Sequence, residues 1–187
     1  GMPWLFRIQR SEERAQGMRK TNVLLIGMPS AGKSTVGALL AKRLGAPFTD
    51  MDLVIQEKTG KLLKELIAGL GEQGFLELEE RINREHEADR TVIAPGGSVI
   101  YGKRAMEHYR ETAVIVYLKL SFEELTERIG DPRERGVVLK DGMTLRDLYE
   151  ERVPYYEAYA DVTVEENGKS PEQIVQELGA YLEERGF

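Results

Sequence analysis

Short apolar runs alternate along this chain with segments whose apolar residues recur at helical spacing. Val23–Ile26, Thr91–Ala94 and Ala113–Leu118 are largely continuous apolar runs of strand length, and Val162–Val164 is a shorter one. A continuous apolar run indicates a strand that is buried on both faces, as strands of parallel sheets are. The pattern therefore predicts several buried parallel strands.

The predicted helices lie between these runs. Val36, Leu39, Leu40 and Leu44 fall on one helical face, and Gly45 supplies a stop. The other predicted helices are Asp52–Thr59, Leu62–Leu70, Glu72–Glu87, Lys103–Arg110, Phe122–Ile129, Leu145–Tyr159 and Pro171–Glu184, with Ser121 and Ser170 as N-caps. Strands that alternate with helices predict an α/β fold with a parallel sheet covered on both faces.

Three segments depart from this alternation. Residues 1–19 are expected to be a loosely held extension that precedes a single domain at 20–187. Residues 61–87 look wholly helical and predict a lobe beside the sheet. Residues 130–142 are polar, carry a glycine at each end, and are either a solvated loop or an active-site lid.

Composition and charge exclude several classes of function. The 187 residues include no cysteine, which rules out disulfides, thiolate nucleophiles and cysteine-ligated zinc. The net charge of −6 gives no overall basic footprint for nucleic acid. No apolar run approaches the ~20 residues that span a bilayer. We expect a cytoplasmic monomer with no nucleic-acid or membrane partner.

The most informative motif is a complete phosphate-binding loop (P-loop). It follows the first predicted strand and reads Gly27-Met28-Pro29-Ser30-Ala31-Gly32-Lys33-Ser34-Thr35. The glycines let backbone N–H groups face phosphate oxygens, and the following helix adds its positive end. Lys33 supplies a charge for the β and γ phosphates, and the Ser34 hydroxyl suits Mg²⁺. The loop is expected to bind a nucleoside triphosphate.

The motif alone does not fix the reaction, because kinases, GTPases and motors share it. A regulatory GTPase would need a guanine-selective motif such as NKxD, which the sequence lacks. A motor would need more chain for its partners. Phosphorylation of a small metabolite fits the length best.

Two carboxylates, Asp50 and Asp52, stand two residues apart at the end of a predicted strand. In an extended chain both would point to the same side. Asp50 suits the water shell of Mg²⁺, and Asp52 suits the orientation or deprotonation of an attacking hydroxyl. The alternative for Asp52 is a helix N-cap.

A second glycine turn and three arginines complete the candidates. Gly96 and Gly97 follow a predicted strand, where the turn either approaches a ligand or is an ordinary tight turn. Arg135 lies in the predicted lid, where it could stabilise transferred phosphate. Arg128 ends the helix before the lid, and Arg152 precedes a proline within a predicted helix.

The order and spacing of these landmarks resemble the shikimate kinase family over about Asn22 to Glu184. The shared segments are GMPSAGKST, LGAPFTDMD, GEQGFLELE, APGGSV, the arginine of RERG, ERVPYY and NGKSP. The resemblance implies a P-loop three-layer sandwich with a five-stranded parallel sheet, a helical substrate-binding lobe and a mobile lid. It also implies transfer of the ATP γ-phosphate to a ring hydroxyl, with shikimate as the acceptor.

On the nucleotide side, the resemblance implies that Lys33 and Ser34 bind phosphate and Mg²⁺. It also implies that Asp50 contacts the water shell of the metal. Arg128 and Pro171 fall where the family sandwiches adenine. ATP and Mg²⁺ are therefore the implied cofactors.

On the acceptor side, Asp52 would hold the substrate hydroxyls, and Gly96 and Gly97 would lie against the substrate. Arg152 would contact the substrate carboxylate, and Arg135 would be the lid arginine. Lys33, Asp52 and Arg135 are the predicted catalytic residues.

Three positions depart from the family pattern. Leu76 stands where the family has a second carboxylate-binding arginine, Pro95 replaces the first glycine of a triplet, and Gly136 replaces a lid proline. Pro95 removes a backbone donor, and Gly136 loosens the lid. Losing a charge-assisted contact of ~1.5–3 kcal/mol weakens carboxylate binding by roughly tenfold to a hundredfold.

Leu76 leaves two acceptors open: shikimate held mainly by Arg152, or another small hydroxylated molecule. Two further alternatives remain, namely a nucleotide-binding module without catalysis and a nucleoside monophosphate kinase. The full set of site residues argues against the binding module. The few basic residues in 61–87 argue against a nucleoside monophosphate kinase, which needs them around an acceptor phosphate.

Overall fold

Six strands form one sheet in a computed structural model that describes residues 6–8, 20–132, 137 and 139–187. The strands are β1 Phe6–Ile8, β2 Asn22–Ile26, β3 Phe48–Asp50, β4 Val92–Ala94, β5 Ala113–Lys119 and β6 Val162–Glu165. Their order across the sheet is β1-β6-β5-β2-β4-β3.

The five strands from β2 to β6 run parallel, as expected. β1 adds a sixth strand that the apolar pattern did not predict. It lies within the extension at 1–19 and pairs antiparallel with β6, with Arg7 opposite Thr163.

Seven α-helices and one 3₁₀ helix connect these strands in the described parts of the chain. They are α1 Lys33–Leu44, α2 Met51–Thr59, α3 Leu63–Glu85, the 3₁₀ helix Gly97–Tyr101, α4 Lys103–Thr112, α5 Phe122–Ile129, α6 Leu145–Tyr159 and α7 Pro171–Glu183. The two helices predicted within 61–87 are one element broken at Gly71, whose φ of 76° is not helical. Ser121 and Ser170 cap α5 and α7 as predicted.

The sheet is covered on both faces, which gives three layers. Along β2, Leu24 and Ile26 pack into a core with α2, α3, α4 and α6, whereas Val23 and Leu25 face a second core with α1 and α7. Alternating side chains of one strand therefore serve both cores, which is why β2 reads as a continuous apolar run.

The described helices do not include a candidate membrane span. None of them combines the length and the apolar character that crossing a bilayer would require.

Candidate functional site

The P-loop runs between the end of β2 and the start of α1. Gly27 must be glycine, because a Cβ there would lie 2.7 Å from the Leu118 carbonyl oxygen. Gly32 precedes α1 with φ 79°, a left-handed conformation that glycine adopts freely, and Ser30 is also left-handed at φ 68°. The backbone thus curls around the amino end of α1, as an anion-binding loop requires.

Lys33 lies inside this curl. Its Nζ donates to the carbonyl oxygens of Gly27 at 2.8 Å and Met28 at 2.9 Å. Burial lowers the pKa of Lys33 to about 8, and the nearby Asp52 carboxylate opposes this shift. The ammonium group is therefore held by neutral carbonyls that an incoming phosphate can replace.

A cavity of about 470 Å³ opens in front of the loop. On the phosphate side it is lined by Pro29, Ser30, Gly32, Lys33, Ser34, Thr35, Asp50 and Arg128. On the opposite side it is lined by Asp52, Leu63, Phe75, Glu79, Ala94, Pro95, Gly96, Gly97, Ser98, Val137 and Arg152. The cavity thus brings most of the predicted site residues together. Of the other predicted P-loop residues, Gly27, Met28 and Ala31 lie outside this lining, and Met28 and Ala31 are buried.

Ser34 and Asp50 meet at the phosphate side of the cavity. The Ser34 hydroxyl donates to Asp50 Oδ2 at 3.5 Å. A hydroxyl and a carboxylate are the oxygen donors that Mg²⁺ accepts, and Mg²⁺ at such sites keeps several waters. The described residues contain no cluster of three or more acids or histidines that could hold a metal alone. These two residues fit a magnesium ion that is held mainly by nucleotide and water.

The predicted extended geometry of Asp50 and Asp52 is wrong. Asp50 ends β3 and caps α2, because its Oδ1 accepts from the Asp52 backbone N–H at 2.9 Å. Asp52 is already in the first turn of that helix, so the cap is Asp50 and not Asp52. A helix that begins at Met51 overrides the alternation of a strand. Burial, and then the charge of Asp50, raise the pKa of Asp52 to about 6.

Glu79 on α3 is a site residue that the sequence analysis missed. It is buried, and its Oε1 accepts a hydrogen bond of 2.6 Å from the Ser98 hydroxyl. Burial raises its pKa to about 7. A signal was present, since Phe75, Glu79 and Ile82 share the buried face of α3 and a carboxylate there breaks the apolar pattern.

The Gly96–Gly97 turn lies between these acids and the arginine. A Cβ on Gly96 would lie 3.0 Å from carboxylate oxygens of both Asp52 and Glu79. A Cβ on Gly97 would lie 2.9 Å from Arg152 Nη1. The turn therefore needs glycine so that charged side chains can close around it, which favours the ligand-facing interpretation.

Arg152 is as deeply buried as Glu79 on the acceptor side, at 2% exposure. Its Nε donates to the Tyr101 hydroxyl at 3.4 Å, and its guanidinium lies 5.4 Å from the centre of the Tyr101 ring. Within the described residues, no carboxylate forms an ion pair with it at 4.0 Å or less. The neutral phenol of Tyr101 holds this guanidinium, so its charge is left for a ligand.

Leu76 does not line the cavity in front of the P-loop. It lines a second cavity of about 460 Å³, whose walls include Glu72, Glu77, Glu80, Tyr101, Lys140, Glu151, Arg152 and Tyr155. Arg152 borders both cavities. The second cavity therefore lies behind the arginine, on the side that is rich in carboxylates.

The nucleotide-side arginine sits at the rim of the P-loop. Arg128 Nη1 donates to the Ser30 carbonyl oxygen at 3.4 Å and lies 3.9 Å from Glu166 Oε2. Glu166 is 2% exposed, its Oε2 has no hydrogen-bond partner in the described structure, and burial raises its pKa to about 7.

Pro171 is the first residue of α7 and does not line the cavity. Arg135 and Gly136, the predicted lid residues, lie outside the described residues.

Comparison with known proteins gives one consistent result. The sequence profile of the family described as shikimate kinase matches residues 29–183. A shikimate kinase of Persephonella marina is 35% identical over 158 residues, which cover 84% of this chain and 96% of that protein. A shikimate kinase of Corynebacterium efficiens is 37% identical over 169 residues, which cover 89% of this chain and 99% of that protein.

Solved structures agree with the sequence matches. Shikimate kinase from Acinetobacter baumannii in complex with shikimate superposes with a TM-score of 0.81 at 29% identity, covering 90% of this chain and 96% of that one. Shikimate kinase from Aquifex aeolicus superposes with a TM-score of 0.70 at 30% identity, covering 88% and 97%. The three-layer architecture described above is thus shared with solved shikimate kinases.

Proposed function

Because this chain belongs to the shikimate kinase family of ATP-dependent small-molecule kinases, we propose that it transfers the γ-phosphate of ATP to a hydroxyl of shikimate. The reaction makes a bond between the acceptor oxygen and the γ-phosphorus and breaks the bond between that phosphorus and the β,γ-bridging oxygen. ADP leaves, and the hydroxyl proton goes to a base or to solvent.

The observation that carries the choice of acceptor is the state of Arg152. A buried guanidinium that has no ion-pair partner within the described residues is costly, and an anionic ligand relieves that cost. Its Nη1 lies beside Gly97 on the cavity in front of the P-loop. A small carboxylic acid that carries hydroxyls fits this position, with its acid on Arg152 and its hydroxyls near Asp52.

On the nucleotide side, the P-loop amides and Lys33 bind the phosphates. Mg²⁺, when bound, would neutralise charge on the β and γ phosphates, held by Ser34 and, through water, by Asp50. Arg128 faces the same cavity and, with Pro171, is proposed to flank the base. Arg135 is proposed to reach the transferred phosphate.

On the acceptor side, Asp52 is proposed to accept the hydrogen bond of the attacking hydroxyl. Its pKa of about 6 lies near the operating pH, as general-base catalysis favours. Glu79 and Gly96 are proposed to bind the remaining hydroxyls, because they line the cavity. The Gly96 backbone lies against the carboxylates of Asp52 and Glu79.

A second candidate acceptor is another small hydroxylated molecule that is less acidic than shikimate. Leu76 favours it, because an aliphatic side chain stands where the family has a second arginine. The carboxylates around the second cavity also favour a less acidic acceptor, because they repel an anion beside Leu76.

The test is ATP turnover by the purified protein with shikimate, quinate, gluconate and neutral polyols, compared with the Lys33→Met variant. We expect shikimate to give the highest kcat/KM. Undetectable turnover of millimolar shikimate, with turnover of a neutral alcohol, would replace shikimate by the second candidate. Strong nucleotide binding without turnover of any acceptor would indicate a binding module.

The proposed enzyme acts as a cytoplasmic monomer without a nucleic-acid partner. The net charge of −6 supports the last point. Light scattering of the eluted protein measures its mass directly, and a dimeric mass would refute the monomer.

A further inference from the structure

Tyr156 on α6 is a buried residue to which neither the motif nor the family resemblance assigns a role. Its side chain is fully buried, and its hydroxyl donates a 2.7 Å hydrogen bond to the carbonyl oxygen of Gly97. Burial raises the pKa of Tyr156 to about 12, so the hydroxyl remains a donor at neutral pH.

The same hydroxyl is close to the acceptor arginine. Arg152 lies one helical turn earlier on α6, and its nearby charge opposes the rise that burial causes in the pKa of Tyr156. Gly97 in turn lies against Arg152 Nη1. The Tyr156 hydroxyl therefore holds the residue of the glycine turn that lies against the arginine.

We propose that the Tyr156 hydroxyl is a positioning group for the acceptor, which fixes the Gly96–Gly97 turn relative to the guanidinium of Arg152. The proposal rests on the proposed function, because it assumes an acidic acceptor between these groups. With the Gly97 carbonyl held by Tyr156, the peptide plane before Ser98 cannot rotate. The spacing between the turn and the arginine is then set before the acceptor arrives.

Two neighbouring tyrosines are matched controls. The Tyr117 ring stacks on the Tyr156 ring at a centroid distance of 5.1 Å, and its buried hydroxyl has no hydrogen-bond partner within the described residues. Tyr149, also on α6, donates to the Leu120 carbonyl oxygen at 2.8 Å, away from the glycine turn. Tyr117→Phe thus removes an unbonded hydroxyl, and Tyr149→Phe removes a bond of the same type elsewhere.

The experiment measures steady-state kinetics for the wild type and the three Phe variants, with separate KM values for ATP and acceptor. For Tyr156→Phe we expect kcat/KM for shikimate to fall about three- to tenfold, the effect of one hydrogen bond, with KM for ATP unchanged. Tyr149→Phe should lower the melting temperature without changing either KM. Tyr117→Phe should leave both KM values unchanged and should not lower the melting temperature, because its hydroxyl has no hydrogen-bond partner within the described residues.

A purely structural role predicts a different pattern. In that case Tyr156→Phe and Tyr149→Phe would both lose thermal stability and retain wild-type kinetics for the acceptor, and the proposal would be overturned. An equal rise in KM for ATP and for acceptor would also overturn it, because the effect would not be confined to the acceptor.

The outcome for the wild type separates this inference from the proposed function. If the wild type phosphorylates shikimate and Tyr156→Phe matches it, only the positioning role fails. If the wild type prefers another hydroxy acid and Tyr156→Phe is impaired on that acid, the positioning role stands and shikimate fails. If only neutral alcohols react, both fail.

Discussion

The two halves of the cavity are built in different ways. The phosphate side is formed mainly by one continuous stretch of backbone, Gly27–Thr35, to which Asp50 and Arg128 are added. The acceptor side is assembled from α2, α3, the turn after β4, and α6, which contribute Asp52, Glu79, Gly97 and Arg152. A local site is specified by a local motif, whereas an assembled site depends on the packing of elements that are distant in sequence.

The two halves also treat charge differently. Lys33 is held by backbone carbonyls of its own loop, and Arg152 by the phenol hydroxyl of Tyr101 on another element. In both places neutral groups support a buried cation, and among the residues that the structure describes no carboxylate lies at ion-pair distance from it. Both halves are therefore prepared for anions, a polyphosphate on one side and an organic acid on the other.

The largest expected effect is on the phosphate side. Lys33→Met should lower kcat by roughly 100- to 1,000-fold, because it removes a preorganised charge from the transferring phosphoryl group. Lys42→Met, an exposed change in the last turn of the same helix, is the control and should leave kcat unchanged. A Lys33→Met protein with wild-type kcat would remove the phosphate side from the reaction.

The corresponding change on the acceptor side should be smaller and should affect only the acceptor. Arg152→Met is expected to raise KM for shikimate by roughly 100-fold, as truncation of a buried charged partner does, with little change in KM for ATP. Arg146→Met, on the exposed part of α6, controls for changes to the helix. A rise in KM for ATP of the same size would mean that the two halves are not separable.

The sequence predicted these halves to different extents. The P-loop, the four apolar strands and the break near Gly71 follow from local patterns, because glycine conformation and apolar periodicity act over a few residues. The count of five parallel strands came from the family resemblance. The position of Asp52 was mistaken, because the start of a helix shifts by one or two residues without a strong signal. Glu79 was missed because its meaning depends on Ser98, 19 residues away, and β1 because its pairing with β6 spans most of the chain.

Glu166 offers a test of the phosphate side through stability. Its pKa is raised from an ordinary value of 4.5 to about 7 by burial. A raised pKa means that the neutral form favours folding, so this stabilisation is full below pH 4.5 and is lost as the pH rises through about 7. Glu166→Gln should therefore raise the free energy of unfolding at pH 8 by on the order of 1–3 kcal/mol, and by little at pH 5.

Urea denaturation at both pH values measures this difference. Glu165→Gln changes an exposed neighbour and should have no comparable effect at either pH. An equal effect of Glu166→Gln at pH 5 and pH 8 would show that the carboxyl does not titrate between them. The ion pair with Arg128 at 3.9 Å would then hold it ionised throughout.

The smallest expected effect is at Leu76, and it decides how the acceptor side differs from its relatives. An arginine at 76 would add a second charge-assisted contact to a carboxylate, but Leu76 lines the cavity behind Arg152, among Glu72, Glu77 and Glu80. Those carboxylates would compete for the new guanidinium. Leu76→Arg should therefore lower KM for shikimate by only about two- to tenfold, less than a full contact would give.

Leu76→Met, which keeps the size and adds no charge, is the control and should leave KM for shikimate unchanged. A hundredfold gain for Leu76→Arg would mean that the guanidinium reaches the front cavity freely. No gain would mean that Arg152 alone defines the anion site, and that α3 contributes to acceptor binding only through the residues that line the front cavity, Leu63, Phe75 and Glu79.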